Sequence, residues 1–340
     1  MNDGWGDRTT ILTLAGVKEL RHVGINDRIW NGSEYLAIAS LDTSKRHGMV
    51  MNAGKGNMLQ CGADTVLYNN GTATPAGDYR TRDRDMFADN IGRDADANAR
   101  LSSLIPADLS SVVNDKSFAW LYGVWSACGF YDGIVKFHLP TTTSTEMMCK
   151  CVEKMGDRIV QLDTGVFEFS QNGAVMDGIM VIQRDRKKAS IANYHLVVDD
   201  VFKVFFLGFM SGRGYVKVED DGTWNAHFST NNEKIAYGIQ FELYKRFGIR
   251  AAVKMSKNSK QQPTYKSTLI GGATLMGAFP ELLDIYGVAS GGIVPQQEFA
   301  SNKLFVVSEC PGICCMSFRL EKETDVPVCG FIKTHVPCQN

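Results

Sequence analysis

The feature that most constrains this chain is an order of segments that occurs twice. Between residues 115 and 287, an apolar stretch of helix length ending in glycine is followed by strand, strand, helix, strand, strand, and the order recurs after about 85 residues. The first stretch is Phe118-Ala-Trp-Leu-Tyr-Gly-Val-Trp-Ser-Ala127, running to Gly129. The second is Val201 to Met210, running to Gly214. Small residues stand four apart in both, Gly123 with Ala127 and Gly208 with Gly212. That spacing places them on one helix face, so the two helices can cross with their backbones close together.

The remaining elements follow from turns and periodicity. In the first repeat a strand is expected at Ile134–Leu139. A threonine-rich turn then caps a helix over about 144–156, and strands follow near 159–169 and 178–184. In the second, a strand at Tyr215–Glu219 leads through Asp221-Gly222 to a strand at Thr223–Ser229. Ser229-Thr230-Asn231 cap a long helix to Phe247, where Gly248 is a natural stop. Residues 250–255 and 264–271 read as strands and 272–287 as a final helix.

The flanks are β in character. Thr9–Leu14 is a β-branched run, and Asp27–Trp30 enters the turn pair Asn31-Gly32, a strong hairpin signal, with Glu34–Ala39 returning. Further strands are expected at 49–52, 57–68, 304–308, 316–320 and 328–332. Residues 71 to about 100 hold Pro75 and alternating Arg and Asp, which reads as a linker with a short helix near 94–105. The expected division is a β domain from 1–70 plus 300–340, a linker over 71–112, and a domain over 113–290 with repeats at 115–190 and 199–288.

A chain of 340 residues suits two or three domains. No apolar run reaches the roughly 18 residues of a membrane helix, and the first residues lack a signal-peptide stretch, so a cytoplasmic protein and no membrane partner are expected. Cys149 with Cys151, and Cys310 with Cys314, Cys315, Cys329 and Cys338, lack the paired spacing and histidines of a zinc site, which favours free thiols over a metal. The net charge is −1, so any nucleic-acid surface must be local. Arg184, Arg186, Lys187 and Lys188 form one basic cluster. Lys245, Arg246, Arg250, Lys254, Lys257, Lys260 and Lys266 form a second, readable as a solvated face or as a nucleic-acid groove.

The two glycine-ended helices resemble the paired motifs of the LAGLIDADG homing endonucleases, and the order of elements from 115 to 287 is similar throughout. The resemblance implies two αββαββα halves joined at the helix pair, with sheets that lie in the DNA major groove. In that family the eighth motif position is an acid, and the two acids hold a divalent metal for phosphodiester hydrolysis. Here those positions are Cys128 and Arg213. Magnesium prefers oxygen ligands, and an arginine at ~4 Å repels a unit positive charge by on the order of 4 kcal/mol at an effective dielectric of ~20. Asp132 could supply an acid only in a shifted register that loses the small-residue spacing.

The flanks resemble the splicing (Hint) domain of inteins, in Thr9–Lys18 and in Val23-Gly-Ile-Asn-Asp-Arg-Ile-Trp-Asn-Gly32. Leu59-Gln-Cys-Gly-Ala-Asp-Thr65 is similar to the block whose Thr and His activate the first peptide bond; those positions are Gly62 and Thr65, so neither hydroxyl nor imidazole is expected to polarise that carbonyl. No nucleophile stands among Asn2, Asp3, Gly4 and Trp5. The C-terminus aligns in two ways: on Gln339-Asn340, or on Gly330-Phe-Ile-Lys-Thr-His335, which keeps His335 and fits the strand spacing better.

The expected fold is therefore α+β: an all-β Hint-like domain from both termini with an inserted pseudo-twofold LAGLIDADG-like domain. The expected protein is a repurposed, non-catalytic relative, possible remnants being Asp132 and His335. It would act by binding as a monomer, with no cofactor and no metal. A protein partner, as for a phage-encoded adaptor in a host cytoplasm, is favoured over double-stranded DNA by the near-neutral charge and by Asp220 and Asp221. A residually active endonuclease is a further alternative.

Overall fold

A computed structural model describes residues 4–52, 58–69, 72–79, 100–131, 135–139, 141–170, 173–182, 191, 193–270, 273–288, 306–329 and 332–336. Strands β1 (Trp5–Gly6), β2 (Thr10–Thr13), β3 (Gly16–Glu19), β4 (Arg28–Trp30), β5 (Tyr35–Asn52), β6 (Met58–Gly62), β7 (Val66–Asn69) and β8 (Thr72–Pro75) lead to helices α1 (Ala107–Val113) and α2 (Lys116–Cys128). Then come β9 (Phe130–Tyr131), β10 (Val135–His138), α3 (Thr142–Lys154), β11 (Ile159–Asp163), β12 (Val166–Phe169) and α4 (Ala174–Ile182). The order recurs as α5 (Asp199–Arg213), β13 (Gly214–Val218), β14 (Trp224–Thr230), α6 (Glu233–Phe247), β15 (Ala251–Lys257), β16 (Pro263–Ile270), α7 (Ala273–Ala278) and α8 (Glu281–Ile285). Strands β17 (Val306–Leu320), β18 (Thr324–Val328) and β19 (Ile332–Val336) close the chain. The chain divides into two compact units, one of residues 1–94, 240–255 and 299–340, the other of 95–239 and 256–298. Among the described residues no helix is long and apolar enough to cross a membrane.

The first unit is built on one 11-stranded sheet, ordered β17-β1-β6-β5-β4-β2-β18-β19-β7-β8, with β3 on β2. Both flanks meet in it: Trp5 pairs with Met316 and with Cys61, and β5 runs antiparallel to β17 from Asn52–Val306 to Ile38–Leu320. Trp5, Ile29, Leu36, Leu59, Phe318 and Val326 belong to its buried core, Trp5 lying 4.9 Å from Phe318. The Asn31-Gly32 turn is present. Asn31 Oδ1 accepts from the amides of Ser33 and Glu34, and Gly32 takes φ 107°, a left-handed value favouring glycine.

Five expectations are corrected here. Of the strands expected at 304–308 and 316–320, the described residues 306–308 and 316–320 are parts of one strand, because a bulge between Cys310 and Ile313 absorbs Pro311 and Gly312. Residues 328 and 332 do not share one strand: Val328 ends β18 and pairs with Ile332, where β19 begins, with Cys329 at φ 51°. Thr72–Pro75 of the expected linker pairs with β7, and Ala107–Val113 of the same stretch is helical. Of the strand expected at 178–184, residues 178–182 are the end of α4, where Val175, Met176 and Ile179 are buried, and 183–184 lie outside the described residues; a short apolar run fits either period. The helix expected over 272–287 is two short ones, α7 and α8, parted at Phe279-Pro280 because proline cannot continue a helical ladder.

In the second unit, Asp115 caps α2 by accepting from Phe118 N at 2.7 Å, and Thr141 caps α3 through Ser144 N. Helix α6 ends at Gly248 with φ 67°, Gly248 N bonding Tyr244 O, a left-handed glycine stop, and Ile249 N bonds Leu243 O. The two four-stranded sheets, β11-β12-β10-β9 and β13-β14-β16-β15, have the same topology when each strand is matched to its counterpart in the other repeat.

Candidate functional site

Helices α2 and α5 meet at their small residues. A methyl on Gly123 would lie 2.1 Å from Phe205 O, and one on Gly208 would lie 2.0 Å from Trp120 O, so each glycine receives the other helix's backbone. Gly212 faces Ala127 Cβ at 3.1 Å and Cys128 Sγ at 2.9 Å from its built Cβ position. Gly129 and Gly214 leave the helices with φ −68° and −94°, values any residue adopts. Gly129 is required instead by space, since a Cβ there would strike the Trp125 ring.

The two helix C-termini, and hence the negative ends of two macrodipoles, come together where the motif ends lie. Cys128 Sγ donates to His138 O at 3.0 Å, and Arg213 Nε donates across the helix pair to Ala127 O at 3.2 Å. Burial pushes the Cys128 thiol up to about 11, only partly offset by the Arg213 charge, so at neutral pH it is an uncharged thiol. Arg213 thus sets a fixed cation at the C-terminal end of the partner helix. Asp132, the shifted-register acid, lies outside the described residues. Among the described residues no three His, Cys, Asp or Glu side chains group as a metal site.

The outward faces of the sheets form the second candidate surface. Cross-strand partners point to the same face. In the second sheet Tyr215, His227 and Thr268 stand in one row, Lys217 and Asn225 in a second, Ser229 and Lys266 in a third. Tyr215 stacks on His227 at 4.7 Å, and His227 Nδ1 lies 3.1 Å from Thr268 Oγ1. The alternate residues Trp224, Ala226, Phe228, Tyr265, Ser267 and Leu269 are buried. Asp221 is spent in the turn, accepting from Thr223 N and Oγ1; those bonds hold its carboxyl below the usual range. The two acids that favoured a protein partner are thus confined to the β13–β14 turn.

Lys254 and Lys257 are exposed on β15, and Lys260 and Lys266 are exposed beyond it, while Arg250 is half-buried. Lys245 and Arg246 are a correction: both are buried in the first unit. Lys245 Nζ lies 2.9 Å and Arg246 Nε 2.7 Å from Glu242, and Lys245 sits 5.2 Å from the Trp30 ring centroid. They are core ions and cannot reach a phosphate. Helix periodicity carries this signal in sequence, since Glu242 precedes them by three and four residues. Arg184, Arg186, Lys187 and Lys188 lie outside the described residues.

In the first unit Gly62 and Thr65 do come together, which corrects the expectation that nothing polarises that carbonyl. Gly4 O accepts from Gly62 N at 2.9 Å and from the buried Thr65 Oγ1 at 2.7 Å. Two donors converge on one carbonyl, as in an oxyanion hole, yet the next residue is Trp5, which offers no nucleophile. His335 lies on β19 with its backbone opposite Asp325.

Residues 201–281 match the model of the LAGLIDADG-like domain family, a span from within α5 to the start of α8. No curated protein sequence matches the chain. Among solved structures, the N-terminal LAGLIDADG domain of DUF199/WhiA is similar at 13% identity, over 57% of this chain and 93% of that one, with a TM-score of 0.36. Mesophilic variants of the homing endonuclease I-DmoI are similar at 10% identity, over 50% and 96%, at 0.35. The gp41-1 intein is similar at 14% identity, over 24% of this chain and 65% of that one, at 0.22. At such TM-scores these likenesses set no function for this chain.

Proposed function

We propose that this chain is a double-stranded DNA-binding protein that holds DNA on its LAGLIDADG-like unit without metal-assisted cleavage at the helix pair. The observation that carries the reading is the outward row Tyr215, His227 and Thr268, flanked by Lys217 and Lys266, within the stretch that matches the family model. Hydroxyl, imidazole and amide groups suit base edges and sugars, and the ammonium groups suit phosphates. The Cys128 thiol and the Arg213 guanidinium at the motif ends argue against metal-dependent hydrolysis there. In the first unit, Gly62 and Thr65 at the Gly4 carbonyl support an intein-like fold retained as a scaffold.

A gel-shift titration at about 50 and 200 mM salt tests the binding, which should weaken steeply as salt rises. The absence of any shift at the lower salt would remove the proposal. Plasmid nicking with Mg2+ or Mn2+ that is abolished by Asp132→Ala would restore the endonuclease reading. A fused product from the chain expressed between two tags would restore splicing. The adaptor reading retains one supporting observation: Val160 and Leu162, 56% and 50% exposed, stand on the edge strand β11. Capture of a protein partner that is lost in Val160→Asp, with DNA binding absent, would favour it.

A further inference from the structure

We infer that the protein holds DNA with the second of its two sheets alone, so that its contact covers one half of the internal repeat. The inference rests on the DNA-binding reading and narrows it to one surface. The two sheets share a topology, so their outward faces can be compared row by row. On the second, the outward strand positions carry the exposed Tyr215, Lys217 and Lys266 and the half-buried Asn225, His227 and Ser229, with no carboxylate among these six.

The first sheet presents a different chemistry. Val160, Glu168 and Lys136 stand in one outward row, and Asp163, Val166 and His138 in the next. Each face holds one paired lysine, Lys136 at 3.9 Å from Glu168 and Lys217 at 2.7 Å from Glu219, and the second face adds the exposed Lys266. Among the described residues of these two rows, two carboxylates and two valines stand beside Lys136 and His138 where a symmetric binder would meet a second set of phosphates. Carboxylates repel a phosphate backbone, and valine offers it no hydrogen bond. Both faces could arise on one fold because outward strand positions do not enter the core, which leaves their chemistry free to diverge.

The second sheet also sets the expected size of the contact. Strand β14 has seven residues, which at ~3.3 Å per residue extends roughly 23 Å. Along a duplex with ~3.4 Å per base pair that is about seven base pairs.

The test measures fluorescence anisotropy of the full chain with random-sequence duplexes of increasing length, at low salt. For such duplexes the apparent affinity rises with the number of available registers, and extrapolation to zero gives the occupied length. A site of about seven to nine base pairs is expected from the strand length, whereas about fourteen or more would overturn the inference while leaving DNA binding intact. Two exposed variants supply an independent readout. Lys266→Glu should weaken binding at least about tenfold, and Lys136→Glu should change it less than about twofold. Equal losses for the two would also overturn the one-sheet contact. Failure to bind any duplex would overturn the DNA-binding reading itself, an outcome distinct from an overlong site.

Discussion

Helices α3 and α6 hold the same place in two copies of one topology, yet they differ in what they bury. In α3 the buried residues are Ser144, Met148 and Val152, a stripe at four-residue spacing with the other faces toward water. In α6 every residue from Gln240 to Arg246 is buried, including Glu242, Lys245 and Arg246. The C-terminal part of α6 belongs to the first unit, where Tyr244 joins the core cluster and burial and Glu242 together push the Tyr35 hydroxyl well up. Duplicated topology therefore does not imply duplicated duty. Helix α3 lies wholly within the second unit, while the C-terminal part of its counterpart carries an ion cluster in the β unit. The outward sheet faces diverge in the same way, acidic and apolar on the first repeat, basic and hydrogen-bonding on the second.

The largest effect should come from the ions of α6. Glu242→Ala leaves two buried cations without their shared carboxylate and should cost about 3–5 kcal/mol, read as a fall in the denaturation midpoint. Glu153→Ala on the exposed face of α3 should stay within about 0.5 kcal/mol. Similar losses for both would erase the contrast between the helices. Next comes the one feature that the repeats share. Gly208→Val and Gly123→Val each drive a side chain into the partner backbone and should each cost roughly 3 kcal/mol by overpacking; a clear inequality would show that the crossing is less reciprocal than its geometry.

Smaller effects address the sheets. Converting the first face toward the second with Asp163→Lys and Glu168→Lys should raise DNA affinity by a factor of about five, by adding phosphate contacts. Unchanged affinity in a titration at ~50 mM salt would mean that charge is not what separates the faces. The smallest effect is a pH dependence at His227. Burial, aided by Lys217, lowers its pKa below 6.5. The unfolded chain then binds a proton that the folded protein resists, so stability falls as the pH drops below about 6.5 and levels off below the folded-state value. His227→Gln should flatten that part of the melting-temperature profile.

Much of the architecture was legible from residue order. The capped helices, the Asn31-Gly32 turn, the Gly248 stop and the doubled segment order all rest on local rules, namely periodicity and turn chemistry, which act within a few residues. Reading failed where a local signal was ambiguous or was absorbed by pairing. Separate strands are expected at 304–308 and 316–320 because nothing nearby shows that β5 runs alongside and that a bulge absorbs Pro311-Gly312. The basic stretch looked like one surface because charge in sequence does not say which side of a helix faces a core. In α6 that distinction separates the buried Lys245 and Arg246 from the exposed Lys254 and Lys257.

The sequence by itself determined the repeat, the glycine-lined helix pair and the residues at the two helix ends, Cys128 and Arg213, because these are matters of composition and short spacing. Only the tertiary structure decided that Thr65 reaches the Gly4 carbonyl across 61 positions, that Arg213 caps the other helix at Ala127, and that the two sheet faces differ in charge. The physical reason is common to all three. Hydrogen bonds and charge pairs act over a few ångströms in space, and which distant residues come within that range is set by how whole elements pack.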